Sequence, residues 1–210
     1  MKKIDKGTIQ PPQCLNKFKN GMDNWNNLSI EDKSQIRDRL NLAQNFQCAF
    51  CERKFDQKLK SHIDHFLNKH SYPQYEFYWN NLFNSCNNND TCGHFKDSPK
   101  NTFLTLNIIN PDKDEPIDYL TCWISGEIAP TENIKLVDRT LANSTINRLN
   151  LNAPRLKSLR KMYLNILEKE LEEIEKCNFP DSEKTTLLNE IFEDYKNREF
   201  KLALVSYLSK

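Results

Sequence analysis

Apolar positions recur along this chain with different periods, and each period predicts a different element. The first 28 residues are irregular: Pro11-Pro12 and the Asn-rich run NGMDNWNN favour loop. Ser29 then begins SIED, a capping-box-like start with Asp32 at the third helical position. Ile36, Leu40 and Ala43 follow at i, i+4 and i+7, which predicts a helix over 30–44. Alternation takes over in SHIDHF, where Ile63 and His65 fall on one face of a strand and His62, Asp64 and Phe66 on the other. TFLTLNII and IDYLTCWISGEIAP read as strands, the second folding over at Ser125-Gly126 as a hairpin, with NPDKDEP a solvated loop between them.

From Asp138 onward the period is helical. Leu156, Leu159, Tyr163, Ile166, Leu167, Leu171 and Ile174 keep one apolar stripe. FPDSE breaks it, with Asp181 or Ser182 as the next cap, and Leu187, Leu188, Ile191, Phe192 and Tyr195 resume it before Phe200, Leu204, Val205 and Leu208. The expected fold class is α+β, mainly helical. The expected organisation is an N-terminal segment and helix (1–46), a cysteine- and histidine-rich unit (47–100), a hairpin-containing connection (101–137) and a helical C-terminal region (138–210).

Composition narrows this modestly. With 38% hydrophobic and 28% charged residues the chain has enough apolar material for a core, and four Gly argue against an all-β chain rich in tight turns. A net charge of +1 gives no general attraction to polyanions, so any nucleic-acid contact must come from local clusters. No apolar run approaches the ~20 residues of a membrane span, and the opening MKKIDKGTIQPPQ lacks the apolar core of a signal peptide. A cytoplasmic protein with no membrane association is expected, in which disulfides are rare.

The seven cysteines are then metal ligands plus ordinary thiols. Cys48-x-x-Cys51 sets two sulfurs on one tight turn, and Cys86 with Cys92 forms a second pair with five residues between them. Four thiolates make a closed, structural Zn²⁺ site, whereas Cys14, Cys122 and Cys177 stand alone as packing residues. Such a zinc does no chemistry, so any catalysis must come from the residues the pairs enclose. Asp64 beside His65 is the combination metal-assisted phosphodiester hydrolysis uses: a carboxylate for a hard cation, and an imidazole to take a proton from water. Asn80 and Asn81 precede the third cysteine; His94 and Lys96 follow the fourth.

That order, carried by MKKIDKG, CAFCERK, SHIDHF and YWNNLFNSCNNNDTCGHFKD, resembles the zinc-framed HNH endonucleases, and within them the PtuB-like proteins of retron and Septu anti-phage systems. The resemblance implies a ββα-metal core around one catalytic Mg²⁺ or Mn²⁺, flanked here by helices. By position, His65 resembles the general base, Asp64 the acidic metal ligand, and Asn81 the central asparagine, which holds the histidine through its backbone or helps bind the metal; Asn80 is one residue away. Relatives carry Asn or His directly after the fourth cysteine, where this chain has Gly93, so His94 becomes the ligand, offset by one. Lys96 is placed to contact a phosphate, and His62 is either a second active-site imidazole or a packing residue.

Arg53, Lys54, Lys58 and Lys60 are the expected nucleic-acid contacts beside the site, and Arg148, Arg155, Lys157, Arg160 and Lys161 form a second, acid-free basic block. The resemblance also implies a PtuA-type ATPase partner, for which the apolar FKLALVSYLSK is a candidate dock. A zinc-stapled nucleic-acid-binding module without catalysis, or an interaction subunit of an ATPase complex, is the alternative.

Overall fold

The structure, a computed structural model, describes residues 1–56, 59–99, 107–195 and 198–208. Lys58 and residues 102–106 of the expected strand TFLTLNII lie outside them, and 107–109 are not strand. The chain is α+β, with six α-helices and four short strands among the described residues.

Helix α1 (Ile30–Gln44) has the predicted bounds, and its start is fixed by the predicted box: the Ser29 hydroxyl accepts from the Asp32 amide at 3.0 Å, and the Asp32 carboxylate accepts from the Ser29 amide at 3.1 Å. Ile36 and Leu40 are fully buried. Left-handed Asn45 and Phe46 (φ 52° and 55°) end the helix and turn the chain toward Cys48.

Strands β1 (Ser61–His65) and β2 (Leu82–Cys86) pair antiparallel, with Asp64 opposite Phe83 and His65 opposite Leu82. Helix α2 (Cys92–Lys96) follows β2 directly and packs against it. A second antiparallel pair, β3 (Leu120–Cys122) and β4 (Ile128–Pro130), turns at Gly126 as expected. Gly126 has φ +80°, and a Cβ there would fall 2.9 Å from the Lys161 amide, so glycine alone fits this turn against the next helix.

Helices α3 (Leu136–Arg148), α4 (Pro154–Lys176), α5 (Asp181–Tyr195) and α6 (Lys201–Leu208) complete the chain, with the break at FPDSE where the pattern placed it. Phe50, Cys51 and Cys86 of the cysteine segment share one apolar cluster with Leu149, Leu164, Phe200 and Leu204. A second cluster, built from Trp25, Ile36, Leu40, Phe77, Trp79 and Leu82, lies under the other face of β1, which Ile63 covers.

Two expectations about the C-terminal region change here. The apolar stripe of α6 is largely core: Leu202, Ala203 and Leu204 are buried against β3 and α4, while Val205, Tyr207 and Leu208 stay half-buried. The basic block also divides. Arg160 is buried, its guanidinium donating to the carbonyls of Gly126 (2.6 Å) and Leu151 (2.7 Å), which fastens the β3–β4 turn to α4. Arg148 is buried too, and Lys157 pairs with Glu127 at 2.9 Å.

Candidate metal centres

Cys48 and Cys51 occupy a tight turn closed by hydrogen bonds from the Glu52 amide to the Cys48 carbonyl (3.0 Å) and from the Cys48 amide to the Arg53 carbonyl (2.9 Å). Cys86 ends β2, and Cys92 opens α2 with a left-handed φ of 59°. All four cysteines are buried, and their sulfurs lie within 4.8 Å of one another. The Cys51 and Cys86 sulfurs are 3.9 Å apart, close to the roughly 3.8 Å edge of a tetrahedron with ~2.3 Å zinc–sulfur bonds.

Burial opposes ionisation of Cys48, yet hydrogen bonds from the other three thiols outweigh it and hold Cys48 well below an ordinary thiol. The thiols of Cys51 and Cys92 are pushed up in the same cluster. Metal ligation takes the thiolate form, so a divalent cation binding to this set would release thiol protons. The four can hold a zinc ion.

A second group of polar side chains meets between β1 and α2. Asp64 is almost fully buried; its Oδ1 lies 3.5 Å from the Lys96 ammonium and 3.9 Å from His62 Nε2. Its buried Oδ2 and the buried Nδ1 of His62 have no hydrogen-bond partner among the described residues. The His62 and His94 rings stack with centroids 3.9 Å apart, and His94 Nε2 lies 2.6 Å from Asn87 Oδ1. Burial lowers the pKa of His94, and neighbouring His62 lowers it further.

Gly93 makes this convergence possible: a Cβ there would fall 2.8 Å from Asp64 Cγ and 3.0 Å from His62 Nε2. The position where the HNH resemblance leads one to expect a ligand thus admits the β1 carboxylate and the His62 ring instead. The Asp64 carboxylate is a hard oxygen donor and the two imidazoles are borderline nitrogen donors, a set a divalent cation such as Mn²⁺ could use.

Asp64 and His65 leave β1 on opposite faces, as the alternation predicts. The His65 ring is buried edge-on against Trp25, centroids 4.5 Å apart, with Nε2 3.0 Å from the Glu76 carbonyl. A carbonyl only accepts, so Nε2 carries the proton and Nδ1 keeps the lone pair. Burial, against the pull of the Asp64 charge, lowers the His65 pKa to about 4, so the ring is neutral near pH 7.

Asn81 is committed to the backbone. Its Oδ1 accepts from the Leu67 amide (2.7 Å), and its Nδ2 donates to the Leu67 and Tyr75 carbonyls (3.1 and 3.0 Å). That clamp closes the loop between β1 and β2 and holds Glu76, hence His65; of the two roles weighed for Asn81, the positioning one matches this geometry. Asn80 is exposed.

The three residues expected to contact nucleic acid have different surroundings: Lys96 is buried in the Asp64 cluster, Arg53 is half-buried and Lys54 is exposed. Lys96 is buried, bonded to the His65 carbonyl (2.9 Å) and Asp97 Oδ1 (2.7 Å) as well as facing Asp64, because a cation in that pocket is drawn to two carboxylates before any phosphate. Arg53 and Lys54 sit on the side of the knuckle that meets the C-terminal segment: the Lys54 amide donates to Glu199 at 2.6 Å, and the Arg53 charge is felt at the Tyr163 phenol.

Two residues escaped the sequence reading. Burial, and then the Asp64 charge, raise the Asp97 carboxyl pKa, marking it as part of the same cluster; its only signal was its place beside Lys96. Lys6 is buried with its amine 3.5 Å over the Phe83 ring, donating to the Trp79 and Leu82 carbonyls at 3.1 and 2.5 Å. Burial pulls that amine down to about 7. It fastens the opening segment to the turn that carries Asn81.

Among the described residues, no helix is long and apolar enough to cross a membrane. No family model matches the chain. Over 96 residues, 45% of its length, the chain is 32% identical to the Septu protein PtuB of Bacillus thuringiensis. That stretch spans 35% of PtuB, about a third of the relative's length. Over less than half its length, then, this chain is similar to a Septu protein.

Proposed function

We propose that the chain is a metal-dependent endonuclease of the HNH type, acting in a Septu- or retron-like anti-phage system with a PtuA-type ATPase as partner. The observation that carries this reading is the convergence of Asp64, His62 and His94 across Gly93, with one buried carboxylate oxygen left without a partner among the described residues. The β1–β2–α2 order, framed by four cysteines, supports a ββα-metal core. The partial likeness to a Septu protein supports the defence setting.

Asp64, with His62 and His94, would hold a Mg²⁺ or Mn²⁺ ion. When bound, that ion supplies Lewis-acid stabilisation of charge on the scissile phosphate and its leaving oxygen. His65, neutral with its Nδ1 lone pair free of the Glu76 bond, takes a proton from the attacking water at the end of β1; such general-base action is typically worth ~10²–10⁴-fold. Lys96 balances the two carboxylates Asp64 and Asp97, leaving a net negative pocket for a divalent cation. The cysteine cluster holds β2 and α2 in place and takes no part in the chemistry.

One feature favours the second reading, a zinc-stapled binding module: Lys96 already neutralises part of the charge on Asp64. Incubation of purified protein with single- and double-stranded DNA and RNA separates the two. Cutting that requires Mg²⁺ or Mn²⁺ and disappears in Asp64→Ala is the nuclease outcome. No cutting of any substrate with either ion overturns it.

A further inference from the structure

Directly beyond His65 the chain opens into a pocket of about 350 Å³. Phe66, Leu67, Tyr75, Tyr78, Asn80 and Lys113 are among the residues that line it. Tyr75 and Tyr78 are 39% and 50% exposed, and their rings are splayed at 54° with centroids 6.1 Å apart, so each keeps a face open. The exposed side chains of Asn80 and Lys113 make no hydrogen bond or ion pair among the described residues. The lining at Tyr75 and Tyr78 is fixed in place, since the Asn81 side chain ties the Tyr75 carbonyl to Leu67, and the Asn81 amide donates to the Tyr78 carbonyl at 2.8 Å.

We infer that this pocket, which follows His65 along the chain, receives one unpaired nucleotide of a nucleic-acid strand. The inference rests on the nuclease reading for its polymer and adds the substrate class: single-stranded or locally unpaired nucleic acid. Aromatic faces stack on any base, an amide reads a base edge, and an ammonium meets a phosphate; the pocket sets all three together. Its volume lies at the small end of the ~300–1,000 Å³ of ligand sites, room for a nucleotide and not for a duplex. A base that is paired and stacked on both faces cannot offer a face to either tyrosine.

The test is fluorescence anisotropy of a short labelled single strand and of the matching blunt duplex, without added Mg²⁺ or Mn²⁺, for wild type, Tyr78→Ala and Tyr78→Phe. Single-strand binding exceeds duplex binding, falls about 5- to 100-fold in Tyr78→Ala, and is kept in Tyr78→Phe. Equal single-strand binding by wild type and Tyr78→Ala overturns the inference. So does adenosine monophosphate binding as tightly as the strand, which would make the ligand a free nucleotide. If binding follows Tyr78 yet no strand is cut, the nuclease reading fails and the pocket stands. If strands are cut with the same preference whether or not Tyr78 is present, the pocket fails and the nuclease stands.

Discussion

The backbone of Gly93 touches the carboxylate of Asp64: a Cβ on this glycine would lie 2.8 Å from Asp64 Cγ. Two effects of Gly93→Ala oppose each other. Alanine gains about 1 kcal/mol of helix propensity, but overpacking against a buried carboxylate costs about 1–3 kcal/mol. Asp64 is held by Lys96 and cannot move far, so the clash wins. Urea denaturation of Gly93→Ala should show a net loss of stability, with weakened divalent-cation binding; a more stable protein would mean that α2 and β1 are farther apart than the structure has them.

Cys86→Ser tests the sulfur cluster. Structural zinc is worth ~10–16 kcal/mol in small zinc domains, which is comparable to the whole stability of a domain this size. The variant should lose its bound zinc by elemental analysis and melt far below wild type. Full zinc content would remove Cys86 from the ligand set.

The buried His65 sets a pH dependence of stability. Its folded pKa of about 4 lies below the ordinary 6.5, so the unfolded chain binds more protons between those values. Stability from this group is fully present above pH 6.5 and is lost as pH falls toward 4, by roughly 3 kcal/mol in all. Urea denaturation without added divalent cation should show that slope, and His65→Asn should flatten it. An unchanged slope in His65→Asn would assign the protons to other groups.

Helix α6 behaves as core. Leu204→Ala should cost about 2–5 kcal/mol in chemical denaturation. A loss under 1 kcal/mol would mean that Leu204 is not packed as the structure has it.

Signals that act locally were legible in the sequence. The Ser29–Asp32 box, the period of α1, the break before Asp181 and the turn at Gly126 are set by neighbours in sequence, and each matches an observed element. The two cysteine pairs were legible because thiolates at that spacing have few other uses. Alternation also placed His62 with Asp64 and against His65. What could not be read is where charge is buried. Lys96 and Arg160 read as polyanion contacts and Lys6 carried no signal, and only tertiary approach shows carbonyls and carboxylates around them. Gly93 looked like a lost ligand; the three-dimensional fit shows a position emptied so that Asp64 and His62 can enter.

The central proposal is that the four cysteines and the Asp64 cluster are two separate metal sites, sulfur for zinc and a carboxylate for a harder cation. Mn²⁺ binding followed by electron paramagnetic resonance, alongside zinc content, tests it in wild type and Asp64→Asn. The account predicts one Mn²⁺ per zinc-loaded wild-type chain, at least about tenfold weaker binding in Asp64→Asn, and unchanged zinc, since loss of even an outer-shell partner typically weakens a metal 10–100-fold. Equal Mn²⁺ binding by the two proteins, or loss of zinc together with Mn²⁺, would contradict it.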